Sequence, residues 1–259
     1  VTGRPVYTDM WQSDSGGGLP SHIAHVGLGE GADLLVISPA TANTLAKLAA
    51  GMADNLLTVS ALAMRCPMLI APAMDAGMYQ HPAVTQSVRT LVDRGAYLVE
   101  PETGRFASGL VGQGRLPETP TLMGHIRLAL AAGGPLAGRK VVITAGGTRE
   151  ALDPVRYFTN HSSGKQGYAL ASAELDAGEQ VTLISAARGL PLPVGAELVP
   201  VDTARDMLAA VEAAITDCDV LIMAAAVADF RPATVASQKI KKREDGDEAL
   251  SIPMARNPD

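Results

Sequence analysis

Short apolar runs alternate along the chain with segments of helical periodicity. The runs are mostly continuous Val, Ile and Leu, as in strands covered on both faces of a parallel sheet. The pattern predicts strands at 34–38, 68–71, 97–99, 140–144, 181–185, 198–201 and 220–224. It predicts helices at 41–64, 82–94, 119–131, 163–177 and 203–216, each begun by a capping residue or a first-turn proline. The alternation predicts an α/β fold of two Rossmann-like, three-layer α/β/α domains with mostly parallel sheets.

A glycine- and proline-rich segment, AAGGPLAG at 131–138, interrupts this alternation. A new strand pattern begins just after it, so the predicted domain boundary lies there. The first domain is predicted to span 1–132 and the second 138–259. Because the chain begins without Met and stops abruptly at RNPD, we expect a piece of a longer chain.

Composition narrows the classes of protein. Of the 259 residues 47% are hydrophobic and only 3% aromatic, so small aliphatic side chains must fill the core. The net charge of -6 argues against a nucleic-acid partner, which needs a basic face. Cys66 and Cys218 lie in apolar runs, which favours free thiols in the cytoplasm over a disulfide. No apolar stretch reaches spanning length without Gly, Pro or charge, so we expect no membrane partner.

Ligands of open parallel sheets bind beyond the carboxyl ends of the strands, and the loops there are unusual in the first half. The loop SPATANT could hold a phosphate or a flavin edge, although on sequence alone a capped helix explains it as simply. APAMD follows the second strand. The later stretches GRFASG and GQGRLPE are either a lid over an anionic substrate or a solvated turn.

In the second half, a polar loop of about fifteen residues separates a buried strand from the helix that begins near Ser163. It matches neither the dinucleotide motif nor the P-loop. The later strand at 220–224 ends in small residues ahead of Asp229, where backbone could approach a ligand closely. The cationic run from Lys239 is either a solvated face or a clamp on a triphosphate. No histidine or cysteine pair has metal-ligand spacing, so metal ligands stay unassigned.

These motifs carry a resemblance to one family. ITAGGTREALDPVRYFTNHSSGKQGYAL, AAAVADFRP, KIKK and NPD, in this order, resemble the ligase half of the bifunctional phosphopantothenoylcysteine decarboxylase/phosphopantothenate-cysteine ligases of coenzyme A synthesis. SHIAHVGL, SPATANTLAKLAAGMADNLL, APAMDAGMYQHPA and GRFASG with GQGRLPE resemble its flavin-dependent decarboxylase half. The resemblance implies a flavodoxin-like domain at 1–132 and a ligase domain at 138–259. It also implies that the family's opening strand and flavin loop precede Val1, and that the rest of the ligase follows Asp259.

For the ligase half, the resemblance implies that CTP and Mg2+ activate the carboxylate of 4'-phosphopantothenate as an acyl-cytidylate. Cysteine then displaces CMP. By motif position Asn160 would orient the acyl-cytidylate and Arg156 would offset its charge. Positions expected to bind phosphate at a helix start are Ser163, Gly164 and Lys165. Positions expected to bind CTP are Ala224, Ala225, Asp229 and Lys239.

For the decarboxylase half, the resemblance implies that FMN oxidises the cysteine moiety of phosphopantothenoylcysteine, after which carbon dioxide leaves and 4'-phosphopantetheine forms. His22 aligns with the family's catalytic histidine. The flavin-binding positions are Ser38, Thr41 and Asn43. The substrate-binding positions are Met74, Asp75 and Arg115. An assembly built from trimers, in which neighbouring protomers complete the flavin site, is also implied.

Two residues depart from the family pattern. Asp75 stands where the family has an asparagine that binds the substrate carboxylate, and an ionised Asp75 would repel that group. Ser108 stands where a cysteine usually donates a proton, and a hydroxyl is a far weaker acid than a thiol of pKa ~8.5. The departures predict a slowed or altered decarboxylase, or one that uses another proton source.

Other classes of protein remain open on the sequence. One alternative is an active ligase fused to an impaired flavin-binding domain, and another is a non-catalytic flavoprotein paralogue. A flavin-binding regulatory subunit would have no use for the loop that contains Asn160. A short-chain dehydrogenase would need a Tyr-x-x-x-Lys pair, which the sequence lacks.

Overall fold

The structure is a computed structural model that describes residues 3, 6–8, 24–106, 108–241 and 250–258. The chain divides into two compact units, Val1–Leu130 and Ala131–Asp259. Within the described ranges, no helix is long and apolar enough to cross a membrane. Cys66 and Cys218 are both free thiols and are half-buried.

The first unit is built on a parallel sheet in the order β1–β2–β3. Its elements are α1 (Ala24–Glu30), β1 (Leu35–Ala40), α2 (Ala42–Ala50), α3 (Leu56–Ala63), β2 (Met68–Pro72), α4 (Ala76–Tyr79), α5 (Pro82–Asp93), β3 (Tyr97–Leu98), β4 (Glu102–Arg105), β5 (Val111–Arg115) and α6 (Thr119–Ala131). Successive strand residues face opposite sides of a sheet. Ile70 accordingly packs with α2 and α5, while Leu69 and Ala71 pack with α6, which gives helical layers on both faces.

The single helix predicted at 41–64 is wrong, because two helices occupy this stretch. Gly51 ends α2 in a left-handed conformation with φ of 71°, which a glycine adopts without strain. Asn55 then begins α3 with a capping box in which Asn55 and Thr58 bond each other's backbone N–H groups. Local capping chemistry therefore overrides the continuous apolar periodicity.

The second unit is built on a parallel sheet in the order β10–β9–β6–β11. Its elements are β6 (Lys140–Ala145), β7 (Arg149–Ala151), β8 (Tyr157–Thr159), α7 (Lys165–Ala177), β9 (Gln180–Ser185), β10 (Glu197–Pro200), α8 (Ala204–Ile215), β11 (Val220–Met223), β12 (Phe230–Pro232) and β13 (Met254–Arg256). Val142 and Ile184 pack against Met207 of α8 on one face. Helix α7 runs along β6 and β9 on the other face.

The predicted fold class is confirmed in both units, since parallel sheets are covered by helices. The short antiparallel ladders β4–β5 and β7–β8 were not predicted. Both lie in glycine-rich or polar stretches without the alternation that marks a half-buried strand. Each ladder lies in a segment that follows the carboxyl end of a parallel strand, where the candidate residues lie.

Candidate functional site

Asn160 lies at the end of β8, in the loop that separates β6 from α7. Its side-chain nitrogen donates to the backbone oxygens of Ala226 at 3.3 Å and Val227 at 3.1 Å. The loop after β6 is thereby joined to the loop after β11, which begins with Ala224 and Ala225. These carboxyl ends are adjacent because β6 and β11 pair in parallel.

Buried hydroxyl groups tie the same two loops together. Thr144 and Thr148 are both fully buried. The Thr144 hydroxyl accepts from the N–H of Ala225 at 3.2 Å, and the Thr148 hydroxyl accepts from the N–H of Ala228 at 2.9 Å. Buried polar groups are stabilising only when they are paired, as these are. The small residues of 224–228 are therefore held in a defined backbone path.

Helix α7 begins at the same edge of the sheet. Gly164 precedes it with φ of 76° and offers no side chain to cap the first turn. Ser163 accepts a long hydrogen bond of 3.4 Å from the N–H of Lys165. The first N–H groups of a helix lack intrahelical partners and favour an anion. The sequence-predicted residues 163–165 thus form one helix start.

A cleft of about 250 Å³ opens between the polar loop after β6 and the loop after β9, at residues 186–190. Its lining includes Asn160, Ser163 and two arginines that sequence reasoning missed, Arg149 and Arg188. The Arg149 guanidinium lies over the ring of Tyr157, 5.3 Å from its centroid. Arg188 forms an ion pair with Asp202. The position of Arg188 just past the end of β9 is the signal that could have found it, since the loops after parallel strands carry ligand residues.

Arg156 does not line this cleft. Its guanidinium pairs with the buried carboxylate of Asp153 at 2.6 Å, and also donates to the backbone oxygen of Ile240 at 2.7 Å. Ile240 is the neighbour of Lys239, which is exposed. Asp229 is exposed as well, and its backbone oxygen accepts from the N–H of Asn257 at 2.8 Å.

In the first unit, the flavin-binding positions predicted from the sequence lie together at the carboxyl end of β1. The peptide bond from Ser38 to Pro39 is cis. Thr41 caps α2 by accepting from the N–H of Thr44 at 3.3 Å. Ser38, Thr41 and Asn43 are all exposed. Two hydroxyls and one carboxamide therefore face solvent at one strand end.

Asp75 and Ser108 are in direct contact. The Ser108 hydroxyl donates to Asp75 Oδ2 at 2.7 Å. Asp75 Oδ1 accepts from the N–H of Gly77 at 3.1 Å, so the same carboxylate caps α4. The two residues that depart from the family pattern therefore form one hydrogen-bonded pair.

The β4–β5 ladder brings Ser108 to this place. The N–H of Met74 donates to the oxygen of Gly114 in β5 at 3.0 Å. A Cβ on Gly114 would lie 2.2 Å from the oxygen of Met74, so only glycine allows this approach. Arg115, the next residue, forms an ion pair with Glu118. His22, the predicted catalytic histidine, lies outside the described residues.

No three His, Cys, Asp or Glu side chains come together as a possible metal site in the described parts of the chain. The fold and the two groups of residues at strand ends define a two-unit α/β protein of the kind that binds nucleotides or flavins beyond its parallel strands.

Comparison with known proteins places the chain in a family. Residues 1–130 match the family described as Flavoprotein, and residues 136–259 match the C-terminal domain of DNA/pantothenate metabolism flavoproteins. The chain belongs to the flavoprotein family. The family resemblance that the sequence motifs indicated is confirmed.

The relatives are similar along the whole chain. The coenzyme A biosynthesis bifunctional protein CoaBC of Mycobacterium tuberculosis (strain ATCC 25618 / H37Rv) is 48% identical over 264 residues, which cover 100% of this chain and 61% of the relative. The protein of the same name from Bacillus subtilis (strain 168) is 47% identical, with 98% and 62% covered. This chain therefore spans somewhat less than two thirds of the length of these relatives.

Solved structures align with parts of the chain. The C-terminal domain of a coenzyme A biosynthesis bifunctional protein CoaBC is 40% identical over 50% of this chain and 57% of its own, with a TM-score of 0.41. A phosphopantothenoylcysteine (PPC) decarboxylase mutant complexed with pantothenoylaminoethenethiol is 36% identical over 47% of this chain and 68% of its own, with a TM-score of 0.43.

Proposed function

We propose that the second unit is the CTP-dependent phosphopantothenate-cysteine ligase of coenzyme A biosynthesis. A carboxylate oxygen of 4'-phosphopantothenate attacks the α-phosphorus of CTP, and the bond to pyrophosphate breaks. The amine of cysteine then attacks the acyl carbon, CMP leaves, and the amine loses a proton. The contact of Asn160 with the oxygens of Ala226 and Val227 carries the proposal, because it joins the polar loop that lines the cleft to the small-residue loop after β11.

Asn160 orients the acyl-cytidylate in this proposal, and the cleft supplies the positive charge that the anhydride needs. Arg149 and Arg188 line the cleft and support this assignment, since guanidinium groups pair well with phosphate and carboxylate. Ser163, Gly164 and Lys165 begin α7, where N–H groups favour a phosphate.

The nucleotide is proposed to contact four positions along the loop after β11 and beyond it. Ala224 and Ala225 allow close approach of CTP, while Asp229 and Lys239 supply a carboxylate and a cation. Magnesium is proposed to enter as a complex with CTP, because Mg2+ is commonly held by substrate phosphates.

The first unit is proposed to be the phosphopantothenoylcysteine decarboxylase, with FMN as its cofactor. The residues fit the cofactor, since the exposed hydroxyls of Ser38 and Thr41 and the carboxamide of Asn43 can bond the polar edge of a flavin. When bound, FMN would take electrons from the cysteine moiety, which lets the bond to the carboxylate break. His22 is proposed as the catalytic histidine.

The substrate contacts of the first unit are proposed to lie at α4 and the β4–β5 ladder. Met74 and Asp75 follow β2, and Arg115 is the last residue of β5. The two segments are joined by the hydrogen bond from the N–H of Met74 to the oxygen of Gly114. Ser108 is proposed as the proton donor at the tip of the ladder. The names of the relatives favour this bifunctional assignment over a ligase fused to an impaired flavin domain.

The compartment and the assembly are also proposals. We place the enzyme in the cytoplasm because its two free cysteines suit a reducing compartment. The family resemblance leads us to propose an assembly built from trimers, in which neighbouring protomers complete the flavin site.

The test uses the intact protein with 4'-phosphopantothenate, cysteine, CTP and Mg2+, and follows pyrophosphate and products by mass. We expect phosphopantothenoylcysteine first and 4'-phosphopantetheine after it. Asn160→Ala is expected to abolish the first product while synthetic phosphopantothenoylcysteine is still decarboxylated. The absence of pyrophosphate from the wild type would overturn the ligase assignment, and an unchanged synthetic substrate would overturn the decarboxylase assignment.

A further inference from the structure

Asp153 is a carboxylate in the polar loop whose side chain is completely buried. Oδ1 accepts from the N–H groups of Val155 and Arg156, both at 2.8 Å. Oδ2 accepts from Arg156 Nε at 3.0 Å and Nη2 at 2.6 Å, and from the N–H of Ile240 at 3.1 Å. The Arg156 guanidinium, with these N–H groups, holds the pKa of Asp153 below its usual range. The buried charge is therefore fully paired, which is the condition for it to be tolerated.

The carboxylate reaches a segment that is 87 residues away in the sequence. Besides the N–H of Ile240 on Asp153, the oxygen of Ile240 accepts from Arg156 at 2.7 Å. The N–H of Ala236 donates to the oxygen of Leu152 at 3.0 Å. Segment 236–240 is thus fastened along the polar loop at both of its ends.

The hydrogen bonds to Ile240 fix the backbone between two lysines. Ile240 is held by both its N–H and its carbonyl group and is half-buried. Lys239 and Lys241, on either side of it, are exposed. Because the backbone is fixed between them, both lysine side chains start from a defined backbone position. A lysine without such an anchor would lose more conformational entropy on binding an anion.

We propose that Asp153 and Arg156 are positioning residues of the ligase site, which hold the backbone of Ile240 so that Lys239 and Lys241 meet the triphosphate of CTP. This inference rests on the proposed function of the second unit. Arg156 then acts through the lysine segment, and it does not need to touch the acyl-cytidylate. Sequence reasoning missed Asp153, because an acid in a polar loop gives no sign of burial.

The kinetic test measures kcat and KM for CTP by pyrophosphate release from the intact protein. Asp153→Asn is expected to raise KM for CTP about tenfold and to change kcat by less than about threefold. Arg156→Lys, which keeps the charge but loses the two-pronged contact, is expected to act in the same direction. The triple variant Asp153→Asn, Lys239→Ala, Lys241→Ala is expected to be no worse than Lys239→Ala, Lys241→Ala, since Asp153 acts through these two lysines.

A control separates positioning from loss of stability. Val141→Ala removes buried methyl groups at the amino end of β6, away from the loops at its carboxyl end. It is expected to lower Tm and leave KM for CTP unchanged. A further rise in KM for CTP on adding Asp153→Asn to Lys239→Ala, Lys241→Ala, or the same KM rise in Val141→Ala, would overturn the positioning role.

A second readout does not depend on enzyme activity. Trypsin cleavage after Lys239, followed by mass, is expected to be at least several-fold faster in Asp153→Asn than in the wild type or Val141→Ala. Equal cleavage rates would show that Asp153 does not hold the backbone at Ile240. If the wild type released no pyrophosphate while Asp153→Asn was cleaved faster, the proposed ligase function would be wrong. The structural role of Asp153 in holding Ile240 would still be supported.

Discussion

At the scale of single residues, Asp75 and Ser108 influence each other's chemistry. Ser108 gives its hydrogen bond to Asp75, and Asp75 also caps α4. An acid next to the substrate carboxylate would weaken binding by charge repulsion. A hydroxyl that donates to a carboxylate is at the same time oriented by it. If Asp75 binds the substrate and Ser108 donates the proton, as proposed, their hydrogen bond links substrate affinity to the position of the proton donor.

Asp75→Asn is predicted to lower KM for phosphopantothenoylcysteine about tenfold. Two like charges at about 4 Å cost on the order of 1 to 4 kcal/mol, depending on the local dielectric, and the amide removes this cost while it can still accept from Ser108. Steady-state decarboxylation by the intact protein measures KM. Ser108→Ala, which keeps the charge and loses the hydrogen bond, is the matched control and should not lower KM. An unchanged KM in Asp75→Asn would mean that the carboxylate binds elsewhere.

Glu179 gives a prediction about stability and pH. It is buried just before β9, and burial, followed by the neighbouring Glu174, raises its pKa to about 7 from 4.5. Its stabilising contribution is therefore fully present below about pH 4.5 and is lost as pH rises through about 7.

Glu179→Gln is accordingly predicted to raise Tm by a few degrees at pH 8, with the gain vanishing towards pH 4. The neutral amide avoids a buried charge at high pH and resembles the protonated acid at low pH. Thermal unfolding of the intact protein between pH 4 and pH 9 measures the effect. Glu212→Gln on the exposed side of α8 controls for the loss of one negative charge. A gain in Tm that does not vary with pH would contradict the raised pKa of Glu179.

At the scale of elements, the close packing of the polar loop depends on the start of α7. Gly164 has positive φ, and a Cβ there would lie 2.5 Å from Cβ of Ala187 and 3.3 Å from Cα of Gly146. The loops after β6 and β9 thus close tightly around the helix start. Small residues at these three positions make the approach possible.

Gly164→Ala is predicted to destabilise the second unit by about 1 to 3 kcal/mol more than Gly189→Ala does. Gly189 has a similar φ of 74°, but no atom lies within 4 Å of the place that an added methyl group would take, so its substitution carries conformational strain alone. Urea unfolding of both variants measures the difference. We also expect pyrophosphate release to fall only in Gly164→Ala. Equal free energies of unfolding would show that the loops relax around the methyl group.

At the scale of the whole molecule, each unit has its own sheet and its own hydrophobic core. Ligands that bind one folded unit stabilise that unit by mass action, by about 2.7 kcal/mol at a hundred times Kd. Each ligand should therefore stabilise only the unit that binds it, which distinguishes the two proposed sites.

FMN is predicted to slow amide hydrogen exchange in β1 and β2, and CTP with Mg2+ to slow it in β6 and β9. Hydrogen exchange of the intact protein, read by mass for peptides from each unit, measures both effects. Riboflavin, which lacks the phosphate, serves as a control for FMN. Protection of β6 by FMN, or of β1 by CTP, would contradict the assignment of one site to each unit.

The sequence by itself determined the fold class, because burial on both faces of a sheet demands runs of Val, Ile and Leu and this demand is local. It also predicted that the candidate ligand residues lie at strand ends, and its motifs indicated the family. It predicted one helix at 41–64 wrongly, since apolar periodicity continues through Gly51 although the backbone does not.

Only the tertiary structure decided which of these residues meet. Asn160 bonds a carbonyl 66 residues away, and Asp153 bonds an N–H 87 residues away. Ser108 reaches Asp75 only because the β4–β5 ladder folds back onto the loop after β2. Such contacts depend on strand order and side-chain packing, and neither is encoded in the spacing of residues along the chain.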